Sequence, residues 1–330
     1  MFERKFFCLK FDFFKIYFHG VFFLENGKKT EEKMKKISFM GWENCIEMVS
    51  GSFRIIITTD VGPRIIGGFI GNNPHNIFNV DPALAGTSGA DKWVNYGGHR
   101  LWVAPERENR TQEKDNCPVK YEEKDGGIIF YMPEDERSGM EKSIFIKGVA
   151  EGKFYVEHSV TNKNIWPVEL APWAISVMAP GGMCIAPQNK DKRALLPNTF
   201  YSFWPYTELS EKRFVFGKDF LFVKQDENCA GPCKIGFNCK NNYIAYANNG
   251  TLFVKEFTYV PGAKYPDNGC TVEVYSCKSM LEVETLAPLR MVDTNECAKH
   301  VEIWSCRDGI GKIENCDDAA EYLPRPTVAE

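Results

Sequence analysis

Short β-branched and aromatic runs, each closed by turn residues, recur from Ser52 to Trp304 and leave little room for anything but sheet. The first, Phe53-Arg-Ile-Ile-Ile-Thr-Thr59, is closed by Asp60-Val-Gly-Pro-Arg64 and answered by Ile65-Ile-Gly-Gly-Phe-Ile70, a hairpin signature. Runs of the same kind span Gly127–Met132, Lys142–Lys147, Phe154–Val160, Ile175–Met178, Phe220–Lys224, Tyr243–Tyr246, Thr251–Phe257, Cys270–Tyr275 and His300–Trp304. Helical periodicity is confined to a single turn expected over Ala83–Ala90 and a weak helix over Asp317–Tyr322. Many strands with few helices predict an all-β chain of two large antiparallel sheets packed face to face. With 330 residues the chain can bury a full core, and 27 Gly and 18 Pro supply the turns such a fold needs.

Residues 1–36 are of another kind. Phe6, Phe7, Phe11, Phe13, Phe14, Phe18, Phe22 and Phe23 crowd a stretch broken by Lys10, Asp12, Lys15 and His19. No apolar run there is long enough to span a bilayer, and no small-residue cleavage pattern follows, so stable membrane insertion is not expected, a signal peptide fits poorly, and a weak interfacial anchor and a secreted or periplasmic location stay open as alternatives. The segment holds nine basic and five acidic residues, against 31 and 39 in the remainder. That shift marks a boundary. The reading is an accessory Phe/Lys-rich segment over 1–36, even a start-site artefact with Met34 or Met40 opening the folded unit, then a β domain over 37–306 and a polar, loose tail over 307–330. An acidic remainder without a basic stripe argues against nucleic acid as a partner.

The 12 cysteines are scattered and read as reduced thiols of a cytoplasmic protein, since a chain this long needs no staples. Cys229-Ala-Gly-Pro-Cys233 has the spacing of half a zinc site, but Cys270 and Cys277 do not complete it, and the five His are spread singly. No metal is expected. The chain has no Gly-x-Ser-x-Gly, phosphate loop, dinucleotide fingerprint or His-Glu-x-x-His, so no cofactor is expected either.

Candidate chemistry centres on Met280-Leu-Glu-Val-Glu-Thr-Leu-Ala-Pro-Leu289. In a strand Leu281 and Val283 face the core, while Glu282 and Glu284 project together on the other side, about 6.6 Å apart along the strand. A solvated polar edge and a site built on two mutually perturbing acids both fit this pattern. In Asn95-Tyr-Gly-Gly-His-Arg-Leu-Trp-Val-Ala-Pro-Glu106 a Gly pair precedes His99 and Arg100, which a strand places on opposite faces. Trp166-Pro-Val-Glu-Leu-Ala-Pro-Trp173 and Phe203-Trp-Pro-Tyr206 offer Trp173, Trp204 and Tyr206, whose flat rings and polar tips suit sugars. Lys255, Asp267 and Glu273 flank a Gly/Pro-rich loop.

Taken in order, Thr59-Asp-Val-Gly-Pro-Arg-Ile-Ile66, Tyr96-Gly-Gly-His-Arg-Leu-Trp102, Trp166-Pro-Val-Glu-Leu-Ala-Pro-Trp-Ala174, Trp204-Pro-Tyr206, Leu252-Phe-Val-Lys255 and Glu282-Val-Glu-Thr-Leu-Ala-Pro288 resemble an uncharacterised family placed within the galactose mutarotase-like supersandwich superfamily, over roughly residues 40 to 305. The resemblance implies a large β-supersandwich with a concave face that binds a sugar or oligosaccharide. In the aldose 1-epimerases a late-strand Glu takes the proton of the anomeric hydroxyl and a His protonates the ring oxygen. Glu284 matches the position of that Glu, and Arg100 resembles an early Arg that holds sugar hydroxyls. The mid-chain His motif of the epimerases is missing, since the comparable strand reads Leu170-Ala-Pro-Trp-Ala174. His99, and after it Lys255, are the substitutes to consider. The functions implied are an aldose mutarotase or epimerase using Glu284 and His99, with Arg100, Glu282, Trp204, Tyr206, Trp173, Lys255 and Asp267 binding substrate; a carbohydrate-binding protein without turnover; and, third, a glycoside-cleaving enzyme, disfavoured because two acids on one strand face cannot easily flank a bond.

Overall fold

The computed structural model describes residues 33–132, 135, 137–190 and 195–326. Its strands, in chain order, are β1 (Lys33–Phe39), β2 (Trp42–Ser50), β3 (Phe53–Thr58), β4 (Arg64–Ile70), β5 (Gly98–Ala104), β6 (Lys120–Lys124) and β7 (Gly127–Tyr131). There follow β8 (Met140–Ala150), β9 (Lys153–Asn162), β10 (Val168–Met178), β11 (Met183–Pro187), β12 (Tyr201–Phe203), β13 (Phe214–Phe216) and β14 (Phe220–Lys224). The last are β15 (Cys233–Phe237), β16 (Tyr243–Asn248), β17 (Thr251–Phe257), β18 (Val272–Ser276), β19 (Leu281–Leu286), β20 (Arg290–Val292) and β21 (Cys297–Arg307). Three helices of four or five residues, α1 (Glu108–Thr111), α2 (Pro266–Gly269) and α3 (Cys316–Ala320), complete the described elements.

The strands form two antiparallel sheets. One has eleven strands in the order β1-β2-β3-β4-β5-β10-β19-β18-β15-β12, with β20 added beside β10. The other has ten, in the order β13-β14-β11-β16-β17-β21-β9-β8-β7-β6. Alternation decides what lies between them: Val283, Val274, Ile235, Phe237, Val103 and Ile55 from the first sheet meet Ile144, Val156, Phe253 and Trp304 from the second in one buried cluster. The all-β expectation of two large packed sheets holds, and the hairpin read from Phe53 to Ile70 is the β3–β4 pair.

Both outward faces are also covered in part, which makes the molecule thicker than a two-layer sandwich. The chain between β4 and β5 lays Val80 and Tyr96 over Trp42, Ile56 and Ile66. On the second sheet, Ile313, Ala319 and Leu323 pack on Ile185, Phe220, Phe222, Tyr243 and Leu252. Residues 307–326 are therefore no loose tail. Their apolar residues are few, but each falls on the sheet, and α3 is closed by a capping box in which the Asn315 side chain accepts from the backbone N–H of Asp317 and Asp318. The helix expected near Asp317–Tyr322 is this one; the single turn expected over Ala83–Ala90 is a run of hydrogen-bonded turns without a helix. At the other end, β1 spans Lys33–Phe39 and pairs Lys33 with Val49 and Lys36 with Ile46, so among the described residues the sheet already includes positions before the boundary drawn from composition, and its first described residue is next to Met34, one of the two expected starts, rather than at Met40. Residues 1–32, the bulk of the expected accessory segment, lie outside the described residues. No described helix is long and apolar enough to cross a membrane, and Cys45 through Cys316 are all free thiols.

Candidate functional site

Register across the middle of the eleven-stranded sheet gathers polar residues from four strands onto its outward face. Arg100 on β5 lies opposite Ile175 on β10, Ile175 opposite Glu284 on β19, and Glu284 opposite Glu273 on β18. One step along, Glu282 faces Tyr275, which faces Lys234 on β15. Directly opposed residues share a face, so Arg100, Glu282, Glu284, Glu273, Tyr275 and Lys234 form one patch, bordered by Trp102 and Trp173. The alternation expected for Glu282 and Glu284 is observed, and the solvated edge is not: Glu284 and Glu273 are fully buried and Glu282 is 8% exposed.

Lys234 is the hub of this patch. Its ammonium lies 2.9 Å from Glu284 Oε2 and 2.7 Å from Glu273 Oε2, and 4.6 Å from the ring centres of both Trp173 and Trp204. Trp173 Nε1 donates to Glu284 Oε2 at 2.8 Å, while Glu284 Oε1 accepts no hydrogen bond. Burial raises the Glu284 carboxyl above its usual range, the Lys234 charge pulls it back, and Glu282 pushes it up again. Burial raises Glu273 further, well above the ordinary carboxylate range. Burial alone would lower Lys234, but the two carboxylates outweigh it and hold its ammonium charged. A second ion pair lies beside the first: Arg100 Nη2 donates to Glu282 Oε1 at 3.1 Å and stacks 4.6 Å from the Trp102 ring centre.

Loops wall the patch on two sides. Trp93, from the chain leading into β5, lies 5.3 Å from the Trp102 ring and 5.8 Å from the Arg100 guanidinium. Opposite it, the Trp204–Thr207 turn is tied to β15 by the Thr207 hydroxyl, which donates to the Lys234 carbonyl at 3.0 Å and accepts from the Lys234 N–H at 2.8 Å. Tyr206 is exposed and meets the Tyr275 ring at 6.4 Å. The entry to β5 explains the Gly97-Gly98 pair: Gly98 has φ +70, and a Cβ there would lie 2.5 Å from the Ile65 carbonyl oxygen.

Of the residues singled out from the sequence, Glu284, Glu282, Arg100, Trp173 and Trp204 converge here, with Tyr206 at the rim. Asp267 stands apart on α2, where its backbone carbonyl accepts from Ser202 and Cys270. His99 and Lys255 face the other way, between the sheets. His99 is opposite Ser176, one residue out of step with Arg100, so it cannot share a substrate with Glu284. Its Nδ1 is 2.8 Å from Ser176 Oγ and its Nε2 is 2.7 Å from His158 Nε2. Lys255 lies 2.8 Å from Glu302 Oε1 and donates to the carbonyls of Ala174 and Val283.

Three of the His spread singly in the chain, His99, His158 and His300, meet in space. The donor atoms of His99, His158 and Glu302 lie within 4.8 Å of one another. The arrangement serves packing better than a metal: the two imidazoles are close enough to hydrogen-bond each other directly, and Glu302 is taken by Lys255 and by Trp304 Nε1 at 2.7 Å. Glu273, noted beside the Gly/Pro-rich loop, joins the outward patch, and Lys234, Tyr275 and Trp93 complete it without having been singled out from the sequence. Lys234 sits in Cys-Lys-Ile-Gly-Phe, where Cys233, Ile235 and Phe237 point inward. Alternation therefore fixes its face, but only strand register brings it to Glu284.

No protein-family model matches the chain. No curated protein matches it either. Solved structures do. The Slr1438 protein from Synechocystis sp. PCC 6803 superposes with a TM-score of 0.53 at 9% identity, covering 83% of this chain and 100% of that one. A galactose mutarotase-like protein from Lactobacillus casei gives 0.52 at 8% identity, over 80% of this chain and 100% of its own. Another from Clostridium acetobutylicum gives 0.50 at 12%, over 84% and 99%. The chain has the galactose mutarotase-like fold. Identities this low speak for the galactose mutarotase-like architecture alone, and what the patch does has to be argued from its residues.

Proposed function

We propose that the protein binds a sugar on the outward face of the eleven-stranded sheet, between the Trp93 and Trp204 walls. The observation that carries this reading is the patch itself: indoles of Trp93, Trp102, Trp173 and Trp204 alternate with Arg100, Lys234, Glu282 and Glu284. Sugar C–H faces stack on indoles while hydroxyls demand charged hydrogen-bond partners, and few other ligands need both at once. The mutarotase-like names of its structural neighbours support the same ligand class.

Slow mutarotation is the second reading, favoured by the free Oε1 of Glu284. With Oε2 pinned by Trp173 and Lys234, Oε1 accepts the anomeric hydroxyl proton, the C1–O5 bond opens to a carbonyl, and O5 takes a proton from Lys234. Reclosure on either face reverses the transfers. Because its two carboxylates stabilise the charged form of Lys234, it gives up that proton reluctantly, so binding outweighs turnover. Glu284 is fully buried, and a sugar reaches it once the Trp204 turn moves aside with Lys234 kept in place.

Saturation-transfer and anomer-exchange NMR with free galactose and glucose test both readings. Sugar signals are expected to report binding at millimolar sugar, with exchange accelerated modestly and the acceleration cut about a hundredfold or more in Glu284→Gln. No binding of any neutral hexose would remove the first reading. Acceleration that survives Glu284→Gln would remove the second.

A further inference from the structure

A second concentration of charge lies where β5 and β10 run out, on the far side of the loop that follows β5. Arg107, Arg110 and Arg137 line a cleft of about 540 Å3 together with Trp166 and Val168, and Glu108 is the single carboxylate among its lining residues. Arg110 is held in place by the Pro105 carbonyl at 2.7 Å and the Glu169 carbonyl at 3.4 Å, yet its buried Nε has no partner. Among the described residues neither Arg107 nor Arg110 is paired with a carboxylate. Burial lowers the Arg110 pKa, and the neighbouring Arg107 charge lowers it further. Two guanidiniums lining one cleft, neither ion-paired among the described residues and with Glu108 the single carboxylate beside them, suit an anion.

The cleft has an apolar wall as well. Trp166 is 58% exposed on the turn between β9 and β10, with its carbonyl fixed by Asn162 Nδ2 at 2.9 Å. An indole left open to solvent beside unpaired guanidiniums is a surface for a flat or ringed ligand that carries an oxyanion. We infer that this cleft is a second binding site, taking the carboxylate or sulfate of an acidic saccharide on Arg107 and Arg110 with the sugar ring stacked on Trp166. The guanidinium fork matches both oxyanions through paired N–H donors. That the ligand is a saccharide rests on the sugar reading of the Glu284 patch; that it is an anion does not.

Calorimetric titration of the full chain with trigalacturonate, neutral galactotriose and inorganic sulfate tests the inference, with Glu284→Gln as the background that silences the first patch. Trigalacturonate is expected to bind the Glu284→Gln protein, to weaken as salt rises, and to lose about tenfold or more in affinity with Arg107→Gln and with Trp166→Ala. Both side chains are exposed, so these variants keep the fold. Galactotriose is expected to show no binding on that background. Equal binding of neutral and acidic trisaccharides, or trigalacturonate binding untouched by both substitutions, overturns the site. Sulfate binding as tightly as trigalacturonate, with no effect of Trp166→Ala, overturns its saccharide part. Loss of trigalacturonate binding in Glu284→Gln itself assigns the acid to the first patch and ends the proposal, whatever the neutral sugars do.

Discussion

Lys234 stands between two buried carboxylates that cannot both keep a negative charge without it. Its replacement by Met leaves Glu273 and Glu284 under the indoles with no cation, a loss of about 3–5 kcal/mol that urea denaturation would register. Glu273→Gln is expected to cost less than the Lys234 replacement, because burial pushes that carboxyl well above its usual range and offsets part of what its pairing with Lys234 gives. A large loss in Glu273→Gln would mean that the ion pair to Glu273, rather than to Glu284, is the one the fold relies on. These residues also mark where reading the sequence stops. Alternation put Glu282 and Glu284 on one face and His99 and Arg100 on opposite faces, and the register agrees on both counts. It could not say that Arg100, 182 residues before Glu282, would be its partner, nor that the face presented by His99 is the inner one.

At the level of elements, strands rich in Ile, Val and Phe were legible because the same alternation that makes them β-prone also buries them; β3, β7, β14, β16 and β17 fall on their expected runs almost to the residue. Strands with mixed polarity were not. β1 reads Lys-Met-Lys-Lys-Ile-Ser-Phe, and pairing with β2, not propensity, makes it a strand. The C-terminal segment eluded composition for a related reason: Ile313, Ala319 and Leu323 are too sparse to form a run, yet they close over the second sheet. Leu323→Ala is therefore expected to cost about 2–4 kcal/mol and Asn315→Ala about 1 kcal/mol in chemical denaturation, where a loose tail would give nothing measurable.

For the whole molecule the interior is the unusual part, since a ladder of His99, His158, His300, Glu302 and Lys255 runs between the two sheets. Burial pushes His300 down to about 3, with the nearby Glu302 charge opposing the shift. Unfolded, that ring takes up a proton near pH 6.5; folded, it stays neutral until about 3, so the stability it lends is complete above 6.5 and drains away as pH falls through that window. The slope is up to about 1.4 kcal/mol per pH unit. Urea midpoints between pH 7 and 4 should therefore fall less steeply in His300→Gln than in the parent, and parallel slopes would refute a neutral buried His300. Glu273 works in the opposite sense above pH 4.5, because its raised carboxyl pKa lends stability that is lost as pH rises, and Glu273→Gln separates the two. The strand order carries one more implication. β5 pairs with β10, which pairs with β19, so the patch straddles a seam between the first third of the chain and the last. A ribosome delivers Glu282, the carboxylate paired with Arg100, 182 residues after it, and until β19 arrives β10 exposes an unpaired edge. The ion pairs of the candidate site thus close only when early and late strands meet, and their presence certifies that both halves of the chain have found each other.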